Sequence, residues 1–324
     1  MMRIYEEAFG SHVEYVLRNE DTGEFASIVS RGANVRRLAL SPGDGLEPIS
    51  ILRGYGTPEE LEEGRWSRGI KMIPFPNRIR DGIYSFGGRQ FSLPINFPSQ
   101  HHAIHGLLSD QEMQLVRKTE DDQSCSVTLS FDFTGRFPGY PFGLKVEVTA
   151  ALDNDGFTVL TRALNIGDDP LPLGDGWHPY FAFGDDPNVD KWILKIPARY
   201  IVELDDRLIP TGKLVPVEAK GLDFRQPRSI SGTILDNVFT GLIPDNDGVV
   251  TRLADPDIGA EIQVWQDKAY GYLVVFTPPE PYRDSIAIEP MTCNTNAFNN
   301  QEGLIVLRPG ESFLGRYGVR VSKM

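Results

Sequence analysis

Cysteine is scarce in this sequence. Among 324 residues there are two cysteines, Cys125 and Cys293, which lie far apart and outside any CxxC or His-rich zinc spacing. This scarcity excludes a disulfide scaffold and a structural zinc knuckle, and it predicts reduced thiols.

Long hydrophobic runs are also missing. No stretch of about 18 apolar residues occurs, so the sequence predicts no transmembrane helix. Residues 1–20 carry acidic side chains early and lack the apolar segment of a signal peptide. We therefore expect a cytoplasmic protein.

Basic residues are in the minority. The 32 lysines and arginines face 45 acidic residues, which gives a formal net charge of −13 at pH 7. Broad binding to nucleic-acid phosphates or to an anionic membrane surface is therefore not expected, and a neutral or cationic small molecule is a better partner. The content of 40% hydrophobic and 24% charged residues is typical of a soluble globular protein.

Apolar residues at every second position are what the sequence has in abundance. This alternation over 125–133 and 144–152, followed by another apolar run over 157–164, predicts three antiparallel strands. A two-residue Gly-Gly turn within 83–93 predicts a hairpin, and 313–321 predicts a final strand.

Helical periodicity is rare. Residues 58–65 favour at most a short acidic turn, because they offer no apolar helix face. The 32 glycines and 24 prolines fall largely between the predicted strands, and no linker or repeat divides the chain. We predict an all-β fold, a large antiparallel β-sandwich, in one domain over residues 1–324.

Five histidines are few enough to consider singly. His12 lies in an alternating pattern and is interpreted as an ordinary side chain. His101, His102 and His105 lie in PSQHHAIHGLLSD, where 101 and 105 have the spacing of a helical metal pair. The prolines before them, the glycine after them and the missing glutamate of HExxH argue against a metal site.

His178 lies in GDGWHPYFAF. The proline that follows favours an extended backbone at His178, which would fix the direction of its side chain. From the pattern alone, His178 could equally be a hydrogen-bonded core residue or a functional one.

Glu289 is the acidic candidate, in DSIAIEPMTCNTNAFNN. A strand with Ile286 and Ile288 is predicted to end at Glu289, just before an Asn-rich loop. Catalytic groups are often displayed where a rigid element opens into a loop. The apolar neighbours of Glu289 argue against a solvated surface glutamate.

Three further polar residues have unusual surroundings. Asn77 and Arg78, in PFPNRIRDG, bring several directional donors together, although Arg78 could also serve a structural ion pair. Asp236, in ILDNVF, lies between two apolar pairs, as expected of a side chain that lines a cleft.

Several of these segments resemble the aldose 1-epimerase (galactose mutarotase) family in the same order along the chain. They are KMIPFPNRIRDGIYSFGGRQFSL, HAIHGL, GDGWHPYFAF, DFR with the later ILDNVF, and IAIEPMTCNTNAFN. The combination of HPYF with EPMTxxxNAFN is far more specific than any one short motif. The resemblance implies a galactose mutarotase-like supersandwich with a cleft on a concave sheet, and interconversion of the α and β anomers of a free aldose.

The resemblance also implies roles. Glu289 matches the family's general base, His178 its general acid, and His105 the second histidine, which contacts the sugar near the ring oxygen. Arg78 and Asp236 match residues that hold ring hydroxyls, and we add Asn77 as a substrate-binding candidate. The sequence departs from the common HGG pattern after His105, and the extra histidines at 101 and 102 have no counterpart in the family pattern.

This chemistry needs one base and one acid, so no metal, nucleotide or redox cofactor is expected. A carboxyl near its ordinary pKa would be ionised at neutral pH, and we expect a nearby carboxylate to raise the pKa of His178 modestly. Trp177, Phe181 and Phe276 are candidates for packing on the sugar, although core packing is the commoner role of aromatic residues.

Two alternatives remain on the sequence. A hexose-6-phosphate epimerase of the same fold would need a basic pocket, to which four scattered arginines could contribute: Arg36, Arg37, Arg80 and Arg89. A carbohydrate-binding module would need neither a base nor an acid, so the presence of both His178 and Glu289 argues against it. The preferred aldose and the oligomeric state are left open.

Overall fold

The computed structural model describes residues 1–43, 45–184, 187–246 and 248–324, and most of their regular structure is β-strand. In chain order the strands are β1 (Met2–Phe9), β2 (His12–Asn19), β3 (Phe25–Val29), β4 (Asn34–Leu40), β5 (Ile49–Ser50), β6 (Ile70–Met72), β7 (Arg78–Arg80), β8 (Ile83–Phe86), β9 (Arg89–Ser92), β10 (His102–Ile104), β11 (Gln114–Glu120), β12 (Ser124–Thr134), β13 (Gly143–Asp153), β14 (Gly156–Asn165), β15 (Leu171–Leu173), β16 (Gly176–His178), β17 (Tyr180–Phe181), β18 (Ile193–Lys195), β19 (Ala198–Leu204), β20 (Pro210–Pro216), β21 (Arg228–Ser229), β22 (Asp236–Leu242), β23 (Val249–Asp255), β24 (Ala260–Gln266), β25 (Tyr272–Phe276), β26 (Ile286–Met291), β27 (Ile305–Leu307) and β28 (Ser312–Lys323).

Two large sheets dominate the architecture. The nine-stranded sheet has the order β11-β12-β13-β14-β28-β24-β23-β18-β21, and the eight-stranded sheet the order β20-β19-β22-β25-β26-β16-β6, with β17 also paired to β26. Strands β1 to β5 form a third sheet in sequence order, and the pairs β7/β10, β8/β9 and β15/β27 complete the set. The paired strands of the described residues run antiparallel, so the predicted all-β antiparallel sandwich is confirmed.

The alternating segments form the strands that the sequence predicted. β12, β13 and β14 pair in order, and the side chains of β13 alternate strictly between buried and half-buried. The hairpin β8/β9 turns at Gly87 and Gly88, whose φ angles of 58° and 74° are those of a type I′ turn. β28 contains the predicted final strand.

Helix is confined to short segments. The helix α1 (Pro58–Glu63) buries Leu61, so the predicted acidic turn is a helix of under two turns, capped at its start by the Thr57 side chain. The helix α2 (Ala297–Asn300) follows β26. Among the described residues, neither helix has the length needed to span a bilayer.

The eight-stranded sheet has two different faces, because successive residues of a strand point in opposite directions. One face packs on the nine-stranded sheet in a single large core, where Trp177 of β16 stacks on Tyr317 of β28 at 5.2 Å. The other face carries a small apolar patch that includes Ile70, Met72 and Val274. This second face is the floor of the candidate site.

A buried ion pair lies behind that floor. The Nζ atom of Lys71 lies 2.6 Å from Oδ2 of Asp175, and both residues are almost completely buried. The ammonium also donates to the Tyr317 hydroxyl at 3.1 Å, and the Tyr270 hydroxyl donates to Asp175 at 2.7 Å. Because Lys71 of β6 pairs with Trp177 of β16, this cluster fixes β6 beside the strand that carries His178.

Candidate active site

Glu289 and His178 lie side by side on this second face of the eight-stranded sheet. Glu289 belongs to β26 and His178 to β16, two neighbouring strands of the eight-stranded sheet. The distance from His178 Nε2 to Glu289 Oε1 is 3.4 Å, and both side chains are buried. The structure thus brings together the two residues for which an acid and a base role were predicted.

The prediction that the strand ends at Glu289 is wrong. β26 continues to Met291, and Glu289 pairs with Val274 of β25. All six residues of the strand are buried, so the segment resembles a continuous apolar run in which Glu289 occupies one position on the cavity face.

His105 completes a cluster of rings around His178. The His105 ring meets the His178 ring edge to face at 4.9 Å, and the Tyr180 ring stacks on His178 at 5.1 Å. His105 adopts a left-handed backbone with φ of 64° directly after β10, and its amide donates to the Asn77 carbonyl at 3.0 Å. At the next residue, Gly106, a Cβ would lie 2.3 Å from the Ile73 carbonyl oxygen, so only glycine permits this close approach.

Arg78 is held without a carboxylate. Its Nη1 atom donates to Asn77 Oδ1 at 2.9 Å and its Nε atom donates to Gln100 Oε1 at 3.1 Å. Burial lowers the pKa of Arg78, opposed by the charges of Asp236 and Glu289. Among the described residues Arg78 has no ion-pair partner, so the structural ion pair considered for it is not observed. The Asn77 side chain holds its guanidinium instead.

Asp236 lies on the same face at the start of β22, paired with Phe276 of β25. Burial raises the pKa of Asp236, and the charge of Arg78 opposes the shift. An arginine, a carboxyl group and an aromatic ring therefore lie in the wall of the same site.

The environment perturbs both members of the central pair. Burial raises the pKa of Glu289 well above its usual range, reinforced by Asp236 and opposed by Arg78. Burial lowers the pKa of His178 to about 3, and burial likewise lowers the pKa of His105. The expectations of an ordinary pKa for the carboxyl group and a raised pKa for His178 are therefore both wrong, because loss of water disfavours the charged form of each buried group.

All six predicted residues line a cavity of about 530 Å³; they are Asn77, Arg78, His105, His178, Asp236 and Glu289. The other residues that line it are Gly64, Trp66, Ser67, Ile70, Asn96, Phe97, Gln100, Ile104, Ser109, Tyr180, Leu208, Val274 and Phe276. Buried atoms without a hydrogen-bond partner among the described residues include Glu289 Oε2 and the Nδ1 atoms of His178 and His105. Unpaired buried polar atoms in a cavity are suited to a polar ligand.

The remaining histidines lie elsewhere. His12 bridges Glu62 and Glu112, with both nitrogen to oxygen distances at 2.8 Å. His101 is exposed beside Asp81, and His102 is buried and bonded to the Arg207 carbonyl. Within the part of the chain that the structure describes, no three His, Cys, Asp or Glu side chains are arranged to hold a metal ion.

Sequence reasoning missed part of the cavity wall. Trp66, Tyr180 and Gln100 line the cavity, whereas Trp177 and Phe181 lie in the core behind it. Phe276 is the one predicted stacking residue that faces the cavity. Trp66 has a positive φ of 64°, which is rare for a bulky residue, and its ring lies 6.2 Å from that of Phe276. No local pattern marks Trp66, because its neighbours carry no periodicity.

The four arginines considered for a phosphate site do not line the cavity. Each has a partner elsewhere: Glu14 for Arg36 and Arg37, Asp205 for Arg80, and the Phe91 ring for Arg89. Arg78 is the only lysine or arginine among the described residues that line the cavity.

The two large antiparallel sheets, with a polar cavity on one face of the eight-stranded sheet, define a β-sandwich of the galactose mutarotase-like type. A solved galactose mutarotase-like protein from Clostridium acetobutylicum has the same fold, with a TM-score of 0.86, 23% identity, and coverage of 100% of this chain and 99% of that one. The chain belongs to the aldose 1-epimerase family, whose model matches residues 14–320.

Two relatives illustrate the range of that family. The uncharacterised protein YihR of Escherichia coli is 32% identical over 299 residues, which cover 91% of this chain and 90% of that protein. The galactose mutarotase of Mus musculus is 26% identical over 241 residues, which cover 70% of this chain and 64% of that protein.

Proposed function

We propose that the protein interconverts the α and β anomers of a free aldose by acid and base catalysis. The observation that carries this proposal is the contact of 3.4 Å between His178 and Glu289 on the floor of a cavity large enough for a monosaccharide. Both groups have strongly shifted pKa values, as expected of catalytic acids and bases.

The reaction requires two proton transfers in each direction. Glu289 takes the proton from the anomeric hydroxyl while His178 gives a proton to the ring oxygen, the C1–O5 bond breaks and C1 becomes an aldehyde. Rotation about C1–C2 then presents the other face of the carbonyl, and the same transfers run in reverse. His105 is the contact for the sugar near its ring oxygen, and it fixes the His178 ring from the edge.

A single proton serves the pair throughout. With the cyclic sugar, the reactive arrangement is a Glu289 carboxylate and a His178 imidazolium; with the open aldehyde, both groups are neutral. Burial penalises the charged arrangement more than the neutral one. The shared proton therefore rests on Glu289 while the sugar is cyclic, and its transfer to His178 adds to the barrier before ring opening returns both groups to the neutral form.

The other end of the sugar must stay bound while C1 rotates. Arg78 donates to hydroxyls and Asp236 accepts from them, and neither demands a charged partner. Phe276 and Trp66 offer ring faces to the apolar face of a pyranose. With a single arginine in the described cavity wall, a neutral aldose is a better substrate than a hexose 6-phosphate.

Polarimetry tests the proposed function. Freshly dissolved α-D-glucose and α-D-galactose are expected to reach their equilibrium rotation much faster with the protein than without it. The 6-phosphate of each sugar, assayed alongside, is expected to be converted less efficiently. Binding of the sugars without acceleration would favour a carbohydrate-binding module, and preference for the phosphates would favour the phosphate epimerase.

The pH profile follows from the shifted pKa values. The pair holds its single proton from about pH 3, where His178 would bind a second one, up to the raised pKa of Glu289, above which it loses the last one. We expect kcat/KM, corrected for the spontaneous reaction, to stay level from about pH 4 up to the raised pKa of Glu289 and to fall in more alkaline solution. An acid-side loss of activity centred near the ordinary glutamate pKa of about 4.3 would contradict this profile.

A further inference from the structure

Gln100 lies at the tip of a narrow hairpin that forms one wall of the cavity. The backbones of Phe97 and His102 exchange two hydrogen bonds of 3.0 and 3.1 Å, and residues 98–101 close the turn. The Gln100 side chain reaches from this tip to Arg78, where its Oε1 atom accepts from Nε at 3.1 Å.

This contact leaves Arg78 little freedom. Asn77 Oδ1 accepts from Nη1, Gln100 Oε1 accepts from Nε, and the Phe97 ring lies 5.7 Å from the guanidinium carbon. The direction of the Arg78 guanidinium in the cavity therefore depends on where the hairpin tip is held.

Arg207 holds that tip from outside the cavity. It lies in the connection from β19 to β20, and its Nη2 atom donates to the Gln100 carbonyl at 2.9 Å and to Asp81 Oδ1 at 2.6 Å. On the other side of the same residue, His102 Nε2 donates to the Arg207 carbonyl at 3.1 Å, while His102 Nδ1 accepts from the Asp81 amide at 3.2 Å. His102 therefore belongs to a hydrogen-bond network that joins three loops.

We propose that Arg207 is a positioning residue for Arg78 and acts through Gln100. It does not line the cavity; it fixes the Gln100 backbone, whose side chain in turn directs the guanidinium toward the sugar hydroxyls. The inference rests on the proposed function, because Arg78 is taken to hold the sugar. Since that grip is the same for the cyclic and the open sugar, its loss weakens binding without changing the chemical step.

Replacement of Arg207 by methionine, which keeps the aliphatic stem and removes the guanidinium, tests the proposal. We expect KM for the best aldose to rise about tenfold while kcat stays within about twofold, the signature of lost uniform binding. A merely structural role would lower the amount of active protein, and with it the apparent kcat, without moving KM. Arg207→Lys restores the charge but not the fork of donors, so only partial recovery of KM is expected.

Arg225→Met is the matched control. The Arg225 side chain is exposed to 34% against 38% for Arg207, and it is also bonded to carboxylates, those of Asp223 and Glu218, but it lies outside the cavity. We expect KM of this variant to equal that of the wild type.

The Gln100→Ala variant tests whether Arg207 acts on Arg78 through Gln100. Alone it should raise KM about as much as Arg207→Met, and the double variant should be no worse than either single one, because both changes release the same group. An unchanged KM in folded Arg207→Met, or effects that multiply in the double variant, would overturn the inference while the wild-type activity stands. A wild type that accelerates no aldose would instead refute the proposed function.

Discussion

Replacement of Glu289 by glutamine is expected to lower kcat for anomer interconversion about 10³-fold. The amide has nearly the same shape and remains on β26 beside His178, but it cannot take the proton of the anomeric hydroxyl. Polarimetry with α-D-galactose, at enzyme concentrations high enough to detect a slow rate, measures the loss. The affinity for the sugar should change far less, because the proposed contacts of Arg78 and Asp236 with the distal hydroxyls remain.

Glu261→Gln is the control for this substitution. Glu261 belongs to β24 and pairs with Arg252 at 2.6 Å, away from the cavity, so the same chemical change should leave kcat unaltered. A Glu289→Gln protein with near wild-type kcat would exclude this carboxylate as the base.

Replacement of Lys71 by methionine is expected to lower the free energy of unfolding by about 3–5 kcal/mol. Asp175 is fully buried, and without the ammonium its charge would have the Tyr270 hydroxyl as its remaining donor from this cluster. Removing one partner of a buried ion pair leaves an uncompensated charge, which costs far more than the pair itself contributes. Urea denaturation followed by tryptophan fluorescence measures the difference.

Two further variants separate charge from packing. Lys71→Met combined with Asp175→Asn should recover most of the lost stability, because the amide oxygen can still accept from Tyr270 and no charge is buried. Lys118→Met removes an exposed partner of Glu6 and should cost no more than about 1 kcal/mol. A loss below that value in Lys71→Met itself would contradict the buried-charge argument.

Much of the nine-stranded sheet was predictable from local patterns. β12 and β13 have one face in the core and one partly in water, so their sequences alternate and reveal both their extent and their pairing. β26 is buried on both faces, and its pattern therefore hides where the strand ends. The error in placing Glu289 at a strand end has this physical cause.

The six predicted site residues, which line one cavity, could be found in the sequence because each lies within a recognisable segment. Trp66, Gln100 and Arg207 have no such signal. Gln100 reaches the cavity only because two hydrogen bonds close a hairpin around it, and Arg207 meets it from more than a hundred positions away. Contacts of that kind depend on the assembled fold. The pKa of His178 was mispredicted for a similar reason, since the degree of burial is a property of the packed sheet.

His178 and Glu289, the proposed acid and base, lie on two strands in the interior of the eight-stranded sheet, whereas Gln100 and Leu208 lie in the connections from β9 to β10 and from β19 to β20. Exchange of these connections between family members, or their randomisation in a library, should therefore change which aldoses are accepted without changing the arrangement of His178 and Glu289. A search for new substrates in this scaffold is best begun at residues 96–101 and 205–209.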